Sequence, residues 1–192
     1  MTNGSDLKSI ATRLYERAME LDSLRFGDFT LSSGQKSTYY FDGRMLSTDP
    51  EGASLIAQAF SIALENAGAD AFGGPTVAAV PIVGALALQS HLDGKNRTGF
   101  FVRPEQKEHG AGKQIEGNLQ AGMKVAAFDD TISTGGSLFP AIDAVEAAGC
   151  EVVLVMAILD RHQGGDAEAE RRGLPFFKLW EATPDGKITI AV

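Results

Sequence analysis

Residues Val125, Ala126, Ala127 and Phe128 form an apolar run that ends in two adjacent carboxylates, Asp129 and Asp130, and then passes through Thr131 and Ile132 into Ser133-Thr134-Gly135-Gly136-Ser137. An apolar run closed by acids reads as a buried strand whose carboxyl end carries the acids, which is where open α/β sheets bind ligands. The small, hydroxylated turn that follows offers backbone N–H groups, hydroxyls and a helix N-terminus, all suited to a phosphate monoester. The two carboxylates repel phosphate, so they are left to serve hydroxyls or a metal. Ordinary βα turns also carry Asp and Gly for capping and turn geometry. Two neighbouring acids at one strand end repel each other, however, and a purely structural role explains that poorly.

The rest of the chain gives such a strand a sheet to belong to. From residue 69 onward, apolar strand candidates near 70–74, 98–102, 124–129, 152–158 and 175–179 alternate with helical segments near 80–92, 136–148 and 165–172. That alternation predicts an α/β fold with an open, mostly parallel five-stranded sheet flanked by helices. Upstream, Leu7, Ile10, Ala11, Leu14, Ala18 and Leu21 recur at helical spacing over residues 6 to 22;. Phe26 to Phe41 reads as a hairpin broken at Gly27 and at Ser32-Ser33-Gly34;. Asp49-Pro50-Glu51 predicts the start of a helix running to about Ala67 and stopping at Gly68;.

At 192 residues with 44% hydrophobic content, residues 1–192 make one domain with a substantial core;. No stretch is long and apolar enough for a membrane span and the first 20 residues mix charged with apolar positions, so a cytoplasmic protein without a membrane partner is expected;. The net charge of −8 argues against a nucleic-acid-binding surface;. The single cysteine, Cys150, is read as a small buried residue;. His91 and His162 have no second ligand at metal spacing and are read as surface residues;.

Two loops stand out, Gly73-Gly74-Pro75 and the long polar segment 103–122. Segments that long without regular structure in a compact domain are usually functional. Arg103, Lys107, His109 and Lys113 bring cations to it, and its glycines allow closure over a site;. Gly110-Ala111-Gly112-Lys113 lacks the first glycine and the Ser/Thr of a P-loop;.

The acidic pair and its turn resemble the phosphoribosyl pyrophosphate (PRPP) motif of type I phosphoribosyltransferases. Arg103, Lys107, His109 and Gly110, followed by Ile115-Glu116-Gly117, are similar to the flexible catalytic loop of the orotate phosphoribosyltransferase family. Phe26-Gly27-Asp28-Phe29-Thr30-Leu31-Ser32-Ser33-Gly34 through Tyr39-Tyr40 and Leu159-Asp160-Arg161 with Gly164 resemble the same family's N-terminal and late strand-end signatures.

The resemblance implies the type I phosphoribosyltransferase fold, with residues 1–45 forming a small N-terminal hood on the base side and 103–122 a flexible catalytic loop. It implies transfer of the ribosyl 5-phosphate group from PRPP to orotate, giving orotidine 5′-monophosphate and pyrophosphate. Asp129 and Asp130 would hold the ribose hydroxyls, Ser133, Thr134, Gly135, Gly136 and Ser137 the 5′-phosphate, Arg161 the orotate carboxylate, and Arg103, Lys107 and His109 the pyrophosphate. Mg²⁺ would be carried by PRPP oxygens and water rather than by a protein cage. A homodimer with the loop shared across the interface is also implied. The chain departs from the pattern at Pro104, where the family usually has lysine, at Ser32, and in the segment after Gly74-Pro75. Transfer to another base, decided by the base pocket around Arg161, is one alternative, and a PRPP-binding regulatory protein with impaired catalysis, which Pro104 supports, is the other.

Overall fold

The computed structural model describes residues 4–30, 34, 36–104 and 114–192. The chain runs α1 (Gly4–Glu20), β1 (Leu24–Thr30), β2 (Lys36–Phe41), α2 (Gly43–Ser47), α3 (Pro50–Ala67), β3 (Ala71–Pro75), α4 (Ala79–Leu92), β4 (Thr98–Val102), β5 (Ile115–Gly117), β6 (Lys124–Ile132), α5 (Leu138–Ala147), β7 (Glu151–Asp160), α6 (Gly165–Arg171), β8 (Phe176–Ala182) and β9 (Ile188–Ile190).

The main sheet has the order β5-β4-β3-β6-β7-β8-β9. Its five central strands are parallel, as the alternating pattern predicts. Short antiparallel strands, β5 and β9, add one at each edge and make seven. Each edge strand is three residues long, too short to show a period;. Strand β5 also takes Ile115–Gly117 out of the segment expected to be loop over 103–122.

After β3 the chain moves outward to β4, whereas β6 returns to the other side of β3 and continues to β7 and β8. The order reverses between β3 and β6, and a crevice opens beyond the carboxyl ends of strands at such a point. Gly74 lets β3 and β6 approach there, because a Cβ at this position would fall 1.8 Å from the Phe128 carbonyl oxygen.

Alternate residues of each strand face opposite sides of the sheet. Ala126, Phe128, Met156 and Ile158 join a core with α1, α3 and α4 on one face. Val125, Ala127, Val155 and Ala157 pack with α5 and α6 on the other. Helix α1 belongs to the first core through buried Ala11, Leu14 and Ala18. Fully buried Trp180 donates its Nε1 proton to the Ala11 carbonyl at 3.0 Å and meets Tyr15 edge to face. Truncating an aromatic so placed costs about 3–5 kcal/mol.

Helix α3 follows its local signals. Asp49 caps it by accepting from Gly52 N–H at 2.9 Å, Pro50 opens it, and Gly68 ends it in the left-handed region at φ 63°;. The β1–β2 hairpin forms a separate two-stranded sheet, and its tip residues 31–33 and 35 lie outside the described residues. Helix α2, directly after the hairpin, has no counterpart in the sequence expectations. Cys150 is buried, as expected, and its Sγ lies 3.2 Å from the Gln120 carbonyl.

Candidate active site

Strand β6 carries the acidic pair into the crevice and continues to Ile132, three residues beyond the predicted strand end. Asp129 is buried and Asp130 partly so. One Asp129 oxygen accepts the Asp130 N–H at 3.0 Å and the other accepts the Ser137 hydroxyl at 2.7 Å. Ser137 is the residue before α5, yet its side chain makes no capping bond to that helix. Of the first α5 residues, Phe139 donates its N–H to the Gly135 carbonyl at 2.9 Å and Pro140 has no N–H, so the turn itself, more than the helix, must supply donors to an incoming anion;. Within the turn, Gly135 takes φ 78°, and a Cβ there would meet the Phe139 ring at 2.2 Å.

Burial raises the pKa of both carboxyls. Asp129 is pushed up first by desolvation and then by the charge of Asp130, with the Ser137 hydrogen bond opposing. Asp130 is pushed up by desolvation and by Asp42, against the Thr131 N–H and the Arg44 charge. Both acids thus keep an affinity for any group that restores hydrogen bonds or positive charge.

Asp129, Asp130, Ser133, Thr134, Ser137 and Arg161 all line one cleft of about 780 Å³. Gly135 lies in the same turn, while Gly136 joins Arg103, Pro104 and Ser137 around an adjoining pocket of about 220 Å³. Pro75 and Thr76 line both, so the two spaces meet at the end of β3. Arg103 is clasped to the far side of its loop: its N–H donates to the Gln114 carbonyl at 2.9 Å, the Gln114 amide returns a bond at 3.1 Å, and its Nε lies 3.1 Å from Glu116 Oε1. Lys107 and His109, and Lys113 with them, lie outside the described residues.

Arg161 follows β7, and its neighbour Asp160 does not pair with it. Asp160 is fully buried; it accepts from His162 N–H at 2.9 Å and from Lys178 Nζ at 2.8 Å. The Arg161 guanidinium instead lies 5.1 Å from the Tyr39 ring centre, and its buried Nε has no protein acceptor among the described residues. A buried N–H without a partner costs free energy until something accepts from it, so this side chain is prepared for an anionic or carbonyl ligand.

His162 is exposed, as expected, but it is not isolated: it contacts Asp166 at 2.6 Å and Glu181 at 3.2 Å. Asp166, then Glu181 and Asp160, raise its pKa. Among the described residues, Asp160, His162 and Asp166 offer ligand atoms within 4.8 Å of one another, but the Lys178 ammonium already supplies a cation there, and none of the three lines the cleft.

Sequence reasoning missed Asp42, Gly43 and Arg44, which line the cleft from α2. The available signal was Asp42 at the end of an apolar strand, an N-cap residue; it accepts from Arg44 N–H at 3.0 Å. The segment Thr76-Val77-Ala78 after the flagged Gly73-Gly74-Pro75 turn also lines it, with a cis peptide between Thr76 and Val77.

No protein-family model matches the chain. It is, however, 42% identical over 162 residues to the orotate phosphoribosyltransferase of Bradyrhizobium diazoefficiens, covering 82% of this chain and 86% of that one. It is 39% identical over 168 residues to the enzyme of the same name from Aquifex aeolicus, covering 86% and 92%. Among solved structures, Mycobacterium tuberculosis orotate phosphoribosyltransferase in complex with Fe(III) dicitrate superposes with a TM-score of 0.76 at 32% identity, over 88% of this chain and 94% of that one. The same protein in complex with PRPP gives 0.73 at 30% identity, over 88% and 94%. With relatives this similar over most of both chains, and with the paired acids, the phosphate turn and the waiting arginine gathered in one crevice, the chain belongs to the orotate phosphoribosyltransferase family.

Proposed function

We propose that this protein transfers the 5-phosphoribosyl group of PRPP to the ring nitrogen of orotate, releasing pyrophosphate and forming orotidine 5′-monophosphate. The observation that carries this reading is the meeting, in one cleft, of the Asp129–Asp130 pair and its Ser133–Ser137 turn with an arginine whose buried Nε lacks an acceptor among the described residues. The turn, with its hydroxyls and its backbone N–H groups ahead of α5, suits the 5′-phosphate. Arg161, held against Tyr39, suits the acceptor's carboxylate through its planar fork;.

The orotate ring nitrogen bonds to C1 of the ribose as the C1–oxygen bond breaks; the released electron pair leaves with pyrophosphate, and the proton the nitrogen carried passes to a pyrophosphate oxygen or to water. Positive charge develops on the ribose ring and negative charge on the leaving group. Asp129 and Asp130, holding the ribose hydroxyls, stabilise the first by proximity. Arg103, together with Lys107 and His109 by resemblance, opposes the second. By resemblance, a catalytic loop closing over the site would exclude water, the competing acceptor. The hard carboxylate oxygens of Asp129 and Asp130 fit Mg²⁺ through its waters, and when bound the ion neutralises pyrophosphate charge.

A homodimer sharing the loop is part of the proposal. It is supported by Val80, Leu88 and Leu92, exposed apolar residues at multiples of four along α4, which begins just beyond the cleft-lining residue Val77. No helix among the described residues is long and apolar enough to cross a membrane; a cytoplasmic location is part of the proposal. The test is ultraviolet absorbance of orotate with purified protein, PRPP and Mg²⁺. Consumption that needs every component supports transfer. No consumption, with calorimetric PRPP binding retained, would instead favour transfer to another base or the PRPP-binding protein to which Pro104 points.

A further inference from the structure

The cleft has a charge problem. Among the described residues lining it, Asp42, Asp129 and Asp130 face only two cations, Arg44 and Arg161. Arg161 is committed to the end near Tyr39. Arg103 lines the adjoining pocket and is paired with Glu116. A PRPP molecule placed on the acidic pair would bring several more negative charges, so a further cation near the acids matters more than an ordinary surface arginine.

Arg44 is held for such a task. Its Nε and Nη2 form a two-pronged bond to the Asp42 carboxylate, both at 2.9 Å. Nη1 makes no protein hydrogen bond among the described residues, so donors of the guanidinium remain for a second acceptor;. Asp42 is itself fixed, since its N–H donates to the Ser23 carbonyl at 2.8 Å and its carbonyl accepts the hydroxyl of fully buried Ser23 at 2.7 Å. Gly43, between them, packs directly on the acidic pair: a Cβ there would lie 2.5 Å from Asp130 Oδ2.

The layers of the fold decide which end of PRPP this cation meets. Leu46 of α2 and Ile82 and Leu86 of α4 share the core on one face of the sheet, and α2 packs against α4. The Ser133–Ser137 turn leads into α5, whose Leu138 and Ile142 belong to the core on the opposite face. A ribose bound at Asp129 and Asp130 with its 5′-phosphate on the α5 side directs its C1 substituent toward the α2 and α4 side. We propose that Arg44 is a substrate-binding residue that receives pyrophosphate oxygens of PRPP, its guanidinium oriented by Asp42. The inference rests on the PRPP reading above and adds a contact that the family resemblance does not assign.

Calorimetry of the full chain with three probes, Mg²⁺–pyrophosphate, ribose 5-phosphate and Mg²⁺–PRPP, tests it. Arg44→Ala is expected to weaken pyrophosphate and PRPP by about tenfold or more, as loss of a charge-assisted contact does, and to leave ribose 5-phosphate within about twofold. Arg44→Lys recovers part of the loss, and Asp42→Asn shows a smaller one, because the charge stays while its orientation is lost. The Arg44 side chain is 59% exposed, so folding is expected to survive the substitution, which a melting curve checks. Unchanged pyrophosphate affinity in Arg44→Ala, or an equal loss for ribose 5-phosphate, overturns the assignment while leaving the PRPP reading intact. Wild-type protein that binds neither PRPP nor pyrophosphate overturns both.

Discussion

Ser137 donates its hydroxyl to Asp129 at 2.7 Å, so the residue that would ordinarily cap α5 is spent on the buried acid instead. One contact thus does two things: it holds a carboxylate that burial has made costly to ionise, and it keeps the Ser137 hydroxyl from capping α5.

Ser137→Ala removes the hydroxyl that favours ionised Asp129. A hydrogen bond to a charged group contributes about 1.5–3 kcal/mol, so kcat/KM for PRPP should fall by roughly ten- to a hundredfold. The acidic limb of the pH–rate profile should also move upward, since the Asp129 pKa loses an opposing influence. Ser137→Thr should restore most of both; a pH profile unmoved by the alanine would refute the coupling.

The two acids weaken the ligand-free protein. Their folded-state pKa values lie above the ordinary 3.8. Below that value both folded and unfolded chains are protonated and nothing is lost. As pH rises past it, the unfolded chain releases protons that the folded chain retains, so stability falls until both groups ionise in the folded state. Asp129→Asn should therefore raise the melting temperature at pH 8 relative to wild type, with the gap closing toward pH 4, and should cost at least about a hundredfold in turnover. Thermal melts across pH check the first part and steady-state rates the second.

Arg161→Ala should raise the KM for orotate by about a hundredfold while PRPP affinity, measured by calorimetry, stays within about threefold; truncating one partner of a hydrogen-bonded charge pair typically costs 2–5 kcal/mol. Lysine is a poor replacement because it lacks the planar fork. Equal losses for the two substrates would place Arg161 elsewhere than at the acceptor.

Gly43→Ala puts a methyl 2.5 Å from Asp130 Oδ2. Because the contact is with a carboxylate that must hold ribose, the expected loss is in PRPP affinity, about tenfold, with a penalty of about 1–3 kcal/mol in stability. A fully folded variant with wild-type PRPP affinity would show that Asp130 is free to move.

Pro104 lines the pocket beside Arg103 and brings neither charge nor donor. Pro104→Lys is expected to lower the KM for PRPP by about three- to tenfold. No change in affinity or turnover would mean the proline costs the site nothing.

Much of this molecule is written locally. Asp49-Pro50 and Gly68 bound α3 because caps act within one turn of the residues they terminate;. The apolar run before Asp129 and the small residues after it specify a strand, a turn and a helix start for the same reason. Tertiary structure alone decided what depends on distant partners. The reversal between β3 and β6 makes the crevice, and it requires Gly74 to accept the Phe128 carbonyl from more than 50 positions away. Asp160 turns from adjacent Arg161 to Lys178 because strand neighbours face opposite sides and β8 pairs with β7;. Arg44 enters the cleft because Ser23 fixes Asp42 and Gly43 meets Asp130. Sequence pattern records which faces are apolar and where elements stop. Which elements pack together, and so which charges share a cleft, is settled only when the core closes.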